Sequence, residues 1–168
     1  MKNKAIFLDR DGTLILDKGY LADASQIEFI PGVPETLKAL KQEKGYLLVV
    51  ISNQSGVARG YFTEELVNEI NREINRKLQL EYGFTIEGFY YCPHHPDYGN
   101  DLYKKECNCR KPSPGLVLKA AAEFQIDIEN SIMVGDKPSD QIKIPDLKFI
   151  KTEKDADWTD LIRQYIDL

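Results

Sequence analysis

Short runs of consecutive apolar residues alternate with helical patterns along this sequence, and this alternation strongly limits how the chain can fold. Ala5–Leu8 and residues 46–51 are apolar throughout, which is typical of strands buried on both faces. Between them, residues 31–44 carry apolar side chains at helical spacing, and Gly45 follows. Such alternation favours a parallel sheet. The sequence therefore predicts an α/β fold, a Rossmann-like parallel sheet with helices on both faces.

The same patterns predict the remaining elements. A helix over 63–80 has Thr63 as its cap and one apolar stripe. Further elements are strands at 84–91, 132–134 and 147–150 and helices at 114–124 and 158–166. Only the polar segment 92–112 is long for a connection, and connections of such length are often functional. For 168 residues we expect one domain over residues 1–168.

The charge and hydropathy of the chain exclude several classes of function. With 22 basic and 27 acidic residues, the net charge is −5, so no basic field is available to hold a nucleic acid. No apolar run is long enough for a membrane span, and the N-terminal residues do not form a signal peptide. We therefore expect a cytoplasmic protein, monomeric, with a small-molecule partner and no nucleic-acid or membrane partner.

Polar clusters stand at the ends of the predicted strands or just before a helix. They are Asp9-Arg10-Asp11-Gly12-Thr13, Ser52-Asn53-Gln54-Ser55-Gly56, Arg110-Lys111-Pro112 and Gly135-Asp136 with Asp140. Ligands of parallel sheets bind beyond the carboxyl ends of the strands, so these clusters are expected to converge. Two carboxylates about 4 Å apart repel by roughly 4 kcal/mol at an effective dielectric near 20, which a divalent cation relieves. Mg²⁺ is the predicted ion, with Asp9 and Asp136 as ligands and Asp140 as a further candidate.

Mg²⁺ beside a lysine and a hydroxyl suits phosphoryl transfer. Lys111 and Ser52 would contact the remaining phosphate oxygens. Asp9 is the predicted nucleophile, and Asp11 is the predicted acid and base for the leaving oxygen and for the hydrolytic water. A lone Asp-x-Asp-Gly is more often a solvated turn or a helix cap, but the ordered set of four clusters weakens that interpretation.

In the order and spacing of these clusters the sequence resembles the haloacid dehalogenase-like phosphatases. Asp9 to Thr13 match the first motif of that family, Ser52 the second, Lys111 the third, and Gly135-Asp136 with Asp140 the fourth. The resemblance implies a Rossmann-like core without a cap domain, an aspartyl-phosphate on Asp9, and Mg²⁺ held by Asp9, Asp136 and the backbone carbonyl of Asp11. It also implies that Ser52 binds phosphate and that Lys111 neutralises charge.

Segment 92–109, called here the zinc loop, contains all three cysteines of the chain. Cys92, Cys107 and Cys109 together with one imidazole could bind a structural Zn²⁺ in a closed tetrahedral site. The spacings are tighter than in common zinc fingers, and buried free cysteines with a surface histidine are the alternative. His94 and His95 are both candidate ligands.

The zinc loop narrows the resemblance to the heptose bisphosphate phosphatase family, with the histidinol-phosphatase domains as its nearest functional relatives. This resemblance selects His94 as the zinc ligand and implies a role for Arg110 in catalysis and recognition. The substrate contacts that it implies are Asp17, Lys18, Gly19, Tyr20, Ser52, Asn53, Gln54, Ser55, Arg110, Lys111 and Lys137.

The implied reaction is removal of the 7-phosphate of D-glycero-D-manno-heptose 1,7-bisphosphate, in the synthesis of lipopolysaccharide core precursors. Histidinol-phosphate hydrolysis is the alternative within the same chemistry, and a non-catalytic, zinc-stabilised module that binds phosphorylated ligands is the alternative of another class. One departure from the family pattern lies after Asp140, where Pro145 should stop any helix early.

Overall fold

The computed structural model describes residues 2–168, and a five-stranded parallel sheet forms the centre of this part of the chain. Its strands are β1 (Ala5–Leu8), β2 (Leu47–Asn53), β3 (Gly88–Cys92), β4 (Ile132–Gly135) and β5 (Lys148–Lys151). They lie in the order β3-β2-β1-β4-β5, and every neighbouring pair is parallel. The predicted sheet is confirmed, and its strand order reverses between β1 and β4, where open sheets of this kind bind ligands.

Four α-helices and two short 3-10 helices connect the strands. The α-helices are α1 (Val33–Gln42), α2 (Glu64–Tyr82), α3 (Gly115–Glu123) and α4 (Thr159–Arg163), and the 3-10 helices span Ala24–Gln26 and Pro138–Asp140. Helix α2 begins where predicted, because the Thr63 hydroxyl accepts a hydrogen bond from the Leu66 backbone N–H at 3.2 Å. It ends at Tyr82 and is capped by Gly83, whose φ of 77° lies in the left-handed region that glycine adopts readily.

Side chains of the central strands alternate between two apolar cores, one on each face of the sheet. Leu8 and Leu48 pack on the face covered by α1, α2 and α4, whereas Phe7 and Val49 pack on the face covered by α3. Trp158, just before α4, is fully buried, and its indole N–H donates to the Thr13 carbonyl oxygen at 2.9 Å. The C-terminal segment thereby fixes the turn that follows β1.

Two elements differ from the sequence-based expectation, and the segment after Asp140 agrees with it. Strand β3 begins only at Gly88, because the backbone of Ile86 pairs with the side chain of Asn75 on α2 instead of with a strand. The last helix is shorter than predicted and ends at Arg163. After Pro138–Asp140 the chain forms no further helix before β5, as Pro145 predicted, and Ile142 covers the sheet from a loop.

The two connections into which a cap domain could be inserted contain little regular secondary structure. Residues 9–32, between β1 and α1, contain only the 3-10 helix Ala24–Gln26, and residues 54–63, between β2 and α2, contain none. Among residues 2–168 we find no helix with the length and apolarity that crossing a bilayer demands.

Candidate active site

A cavity of about 370 Å³ opens at the carboxyl edge of the sheet. Its lining comes from the ends of β1 and β2, from the segment before α3 and from the end of β4. The lining residues are Asp9, Asp11, Asp17, Gly19, Tyr20, Leu21, Asn53, Gln54, Ser55, Gly56, Arg110, Lys111, Lys137, Ser139 and Asp140. The four predicted clusters therefore meet at one place, where the strand order reverses.

Lys111 lies at the floor of this cavity between two carboxylates. Its ammonium group donates to Asp9 Oδ1 at 2.8 Å and to Asp140 Oδ1 at 2.5 Å, and all three side chains are almost fully buried. Burial alone would lower the pKa of Lys111, but the charges of Asp9 and Asp140 outweigh it and raise that pKa. Lys111 thus stays charged and holds the Asp9 carboxylate in place.

The amide of Asn53 positions the backbone of Lys111. Asn53 Oδ1 accepts from the Lys111 N–H at 2.9 Å, and Asn53 Nδ2 donates to the Lys111 carbonyl oxygen at 3.3 Å. Because Asn53 is the last residue of β2, the segment that carries Lys111 is fixed to the edge of the sheet.

Three carboxylates form an acidic cluster beside this lysine. One oxygen each of Asp9, Asp136 and Asp140 lies within 4.8 Å of the other two. Asp9 Oδ2 is buried and accepts no hydrogen bond, with the Lys137 ammonium 3.6 Å away. Burial, together with the charges of Asp9 and Asp140, raises the pKa of Asp136 to about 6. A buried carboxylate oxygen without a hydrogen bond, among like charges, suits a hard divalent cation.

The turn after β1 brings Asp136 close to the backbone. Gly12 has a φ of 90°, and a Cβ at this position would lie 2.8 Å from Asp136 Oδ2, so a side chain here would clash. Thr13 donates its hydroxyl to Asp136 Oδ1 at 3.3 Å. The glycine and threonine of the first motif thus accommodate the carboxylate of the fourth.

The carboxylate of Asp11 is not part of the acidic cluster, and it is held from two sides. Arg10 Nε donates to Asp11 Oδ2 at 3.1 Å, and Gln54 Nε2 donates to the same oxygen at 3.0 Å. The guanidinium of Arg10 is itself buried and also donates to Asn71 on α2 at 3.1 Å. Asp11 is thus placed to act on a proton, and only its backbone is left as a candidate Mg²⁺ ligand.

Two predicted contact residues do not reach the cavity. The hydroxyl of Ser52 is buried below it and accepts from Gln54 Nε2 at 2.5 Å. Lys18 turns outward and pairs with Glu28 at 2.9 Å. In this structure, therefore, Ser52 orients Gln54, and the loop after β1 reaches the cavity through its other residues.

Asp17 closes one side of the cavity and already has a cationic partner. Its Oδ2 lies 3.2 Å from the Lys154 ammonium, and its Oδ1 accepts from the Gly19 N–H at 2.9 Å. Burial opposes ionisation of Asp17, but these contacts outweigh it and lower the pKa of this carboxyl.

The zinc loop brings its four candidate ligands together. The Sγ atoms of Cys92, Cys107 and Cys109 lie 3.0 to 3.5 Å apart, and His94 Nδ1 lies 3.3 Å from the Sγ of Cys109. All three cysteines are free thiols. Zn–S bonds of about 2.3 Å require tetrahedron edges only slightly longer than these separations. The donor set therefore fits one Zn²⁺, with His94 and not His95 as the imidazole ligand.

The geometry agrees with three comparisons. A family described as polynucleotide kinase 3 phosphatase matches residues 4–165. The D-glycero-beta-D-manno-heptose-1,7-bisphosphate 7-phosphatase of Haemophilus ducreyi is 47% identical over 140 residues, which are 83% of this chain and 76% of that protein. The enzyme of the same name from Pasteurella multocida is 46% identical over 156 residues, 90% of this chain and 83% of that protein. The chain belongs to the haloacid dehalogenase-like phosphatases.

Solved structures of such phosphatases share the fold. The crystal structure of D,D-heptose 1,7-bisphosphate phosphatase from B. bronchiseptica, complexed with magnesium and phosphate, superposes with a TM-score of 0.75. It is 26% identical, and the match covers 97% of this chain and 99% of that one. A phosphoserine phosphatase structure with an analogue of the phospho-aspartyl intermediate has a TM-score of 0.59 and 16% identity, which supports the fold alone.

Sequence reasoning missed two arginines of this haloacid dehalogenase-like phosphatase. Arg10 stands between two motif aspartates, and its spacing gives no sign that it is buried. Arg59 lies against the ring of Tyr98 from the zinc loop, with its Cζ 3.9 Å from the ring centroid. Arg59 and Tyr98 are 39 positions apart, so no local pattern in the sequence predicts their contact.

Proposed function

We propose that this phosphatase removes the 7-phosphate of D-glycero-β-D-manno-heptose 1,7-bisphosphate in a Mg²⁺-dependent reaction. The identity of 46 to 47% to relatives of that name, over about three quarters or more of their length, carries the proposal. Their name specifies the β anomer, which the motifs of the sequence leave open. Supporting this substrate class, the cavity presents a nucleophilic carboxylate, a buried lysine and further cations.

In the first step, a carboxylate oxygen of Asp9 attacks phosphorus, and the bond between phosphorus and O7 of the sugar breaks. The leaving oxygen takes a proton from Asp11, and Lys111 stabilises charge on the phosphoryl oxygens. The products of this step are the aspartyl-phosphate and the sugar 1-phosphate. A bound Mg²⁺ would supply charge neutralisation and a fixed orientation of the phosphate, and Asp9, Asp136 and the Asp11 carbonyl would hold it.

In the second step, water replaces the sugar oxygen. Asp11, now deprotonated, removes a proton from this water, whose oxygen attacks the phosphorus. The bond between phosphorus and Asp9 breaks, so inorganic phosphate leaves and the Asp9 carboxylate is regenerated. The hydrogen bonds from Arg10 and Gln54 keep Asp11 oriented during both proton transfers.

The charge of the cavity favours a bisphosphate over histidinol phosphate. Arg110 lines the cavity, and within residues 2–168 it forms no ion pair, since its Nη1 donates to the carbonyl oxygen of His94; Lys137 also lines the cavity but lies 3.6 Å from Asp9 Oδ2. Asp17, which could attract the ammonium group of histidinol, is already paired with Lys154. A second phosphate would therefore meet the unpaired guanidinium of Arg110, whereas the ammonium group of histidinol would meet like charge.

We propose further that Cys92, His94, Cys107 and Cys109 hold a structural Zn²⁺. Four protein ligands leave no open position for a substrate or water, so this site would have no direct part in the chemistry. A bound Zn²⁺ would instead help to position Arg110 and Lys111, because these residues directly follow Cys109. Arg110 Nη1 also donates to the carbonyl oxygen of His94 at 3.4 Å.

The test is a comparison of purified protein with three substrates: heptose 1,7-bisphosphate as its β and α anomers, and histidinol phosphate. We expect phosphate release to be fastest with the β-bisphosphate and to require Mg²⁺. Faster turnover of histidinol phosphate would reassign the substrate. Tight binding of the bisphosphate without any phosphate release would instead support the non-catalytic binding module.

A further inference from the structure

Arg59 lies beside the active-site cavity, inside a group of aromatic rings, and lines a separate pocket with Tyr61 and Tyr98. Its Cζ is 3.9 Å from the ring centroid of Tyr98 and 5.7 Å from that of Tyr20, and the ring of Tyr61 meets Tyr20 edge-on at 4.7 Å. Tyr20 also lines the cavity, so this arginine lies one side chain away from it. The aromatic contacts hold a flat cation in one orientation.

The charge of Arg59 is not neutralised by any nearby acid. Within residues 2–168, no carboxylate oxygen lies within 4.0 Å of its guanidinium, and its Nε is buried without a hydrogen-bond partner. Arg59 is thus held in place by aromatic rings instead of by an acidic partner. Aromatic rings fix such a group without consuming its charge, which leaves it available to an anion.

Arg59 and Arg110 both contact residues 94–98 of the zinc loop. The ring of His95 packs against Tyr98 with ring centroids 4.7 Å apart, and Arg110 Nη1 donates to the carbonyl oxygen of His94, the residue before His95, at 3.4 Å. Arg110 lines the cavity directly. Arg110 thus reaches the cavity itself, and Arg59 lies beside the cavity across the ring of Tyr20.

The turn that carries Arg59 is fixed against the zinc loop. Gly99 has a φ of 109°, and a Cβ at this position would lie 2.8 Å from the carbonyl oxygen of Ala58. The two backbones thus approach as closely as a glycine allows. This contact sets the position of Tyr98, next to Gly99, against Arg59, next to Ala58.

We propose that Arg59 is a specificity-determining residue that binds the distal phosphate of a bisphosphate substrate, acting together with Arg110. The inference rests on the proposed function, since a second phosphate must be present. A guanidinium binds two phosphate oxygens at once, and stacking on Tyr98 lowers the entropy lost when it does so. Arg59 contributes nothing to a substrate that carries the scissile phosphate alone.

The test compares kcat and KM for heptose 1,7-bisphosphate and for heptose 7-phosphate, which lacks the distal group. Arg59→Met keeps the length and stacking of the side chain but removes its charge. We expect its kcat/KM for the bisphosphate to fall about 10- to 100-fold, through KM, while the values for heptose 7-phosphate stay unchanged. Arg59→Gln repeats the measurement should the methionine variant not fold.

The matched control is Arg76→Met, which removes an exposed arginine of α2 that pairs with Glu73. This variant changes the net charge by the same amount as Arg59→Met, and it should leave kcat and KM unchanged for both substrates. An unchanged preference for the bisphosphate in a folded Arg59 variant overturns this inference and leaves the proposed function intact. Absence of bisphosphate turnover in the unmodified protein would overturn both.

Discussion

The ammonium group of Lys111 lies 2.8 Å from Asp9 Oδ1, although 102 positions separate the two residues in the sequence. The contact joins the end of β1 to the segment before α3, and both side chains are buried. It is a contact of the active site and of the core at once, so loss of the Lys111 ammonium group should affect turnover and stability together.

Replacement of Lys111 should therefore lower the stability of the fold as well as the activity. Lys111→Met leaves Asp9 and Asp140 buried without their shared cation, and we expect a loss of about 3 to 5 kcal/mol in the free energy of unfolding. Chemical denaturation measures this loss, and phosphate release should fall to background in the same protein. Lys119→Met, on the surface of α3, is the control, and equal stability of the two variants would contradict the prediction.

Asp9→Asn should abolish turnover and leave the fold intact. The amide cannot form the aspartyl-phosphate, so we expect kcat to fall by on the order of 10³-fold or more. Circular dichroism and thermal melting check the fold, and rapid acid quenching with labelled substrate checks for covalent phosphate. Asp160→Asn, at an exposed position of α4, should retain both label and rate. Phosphate release by the Asp9 variant at the normal rate would exclude Asp9 as the nucleophile.

Without Mg²⁺, the acidic cluster should make the protein less stable as the pH rises. The pKa of Asp136 is raised to about 6 in the fold, against 3.8 for the free side chain. The folded state therefore holds this proton over a range in which the unfolded chain has lost it, and its contribution to stability disappears as the pH rises through about 6. The melting temperature of the unmodified protein relative to Asp136→Asn should fall between pH 4 and 7.

Added Mg²⁺ should reverse this trend. The cation competes with the proton on Asp136, so its apparent affinity should increase from pH 5 to 7. Titration calorimetry measures this affinity. A difference in melting temperature between the unmodified protein and Asp136→Asn that does not change with pH would show that the carboxyl has an ordinary pKa.

Removal of zinc should disturb both the fold and the reaction. We expect one Zn²⁺ per chain by elemental analysis and none in His94→Ala, whereas His95→Ala should retain it, because His95 Nδ1 accepts from the Asp97 N–H instead. Stripping the ion should lower the melting temperature and the turnover rate even with Mg²⁺ restored. An unaltered melting curve after verified zinc loss would remove the structural role from this site.

Much of the fold could be predicted from the sequence because its strands are buried on both faces. Such strands appear as continuous apolar runs, and β1 was predicted at the bounds that the structure has. The start of β3 was not, since the side chain of Asn75 replaces a strand partner for the backbone of Ile86. A contact of that kind depends on tertiary packing and leaves no periodic pattern.

The residues of the candidate site also differ in how far the sequence could predict their positions. Residues at strand ends, such as Asp9 and Asp136, could be predicted because the topology of a parallel sheet brings those ends together. The outward direction of Lys18, the burial of Ser52 below the cavity and the place of Arg59 on Tyr98 could not. These depend on how loops pack against each other, which neither composition nor spacing encodes.

Only one residue separates Cys109, a proposed zinc ligand, from Lys111, which contacts the proposed nucleophile. A chain synthesised during zinc starvation would carry the whole acidic cluster, but Asn53 would then be the one remaining anchor described for the segment that carries Lys111. The output of this enzyme would then follow the cell's supply of a trace metal that never touches the sugar, so nutrient limitation could reduce flux through the pathway without any change in protein abundance.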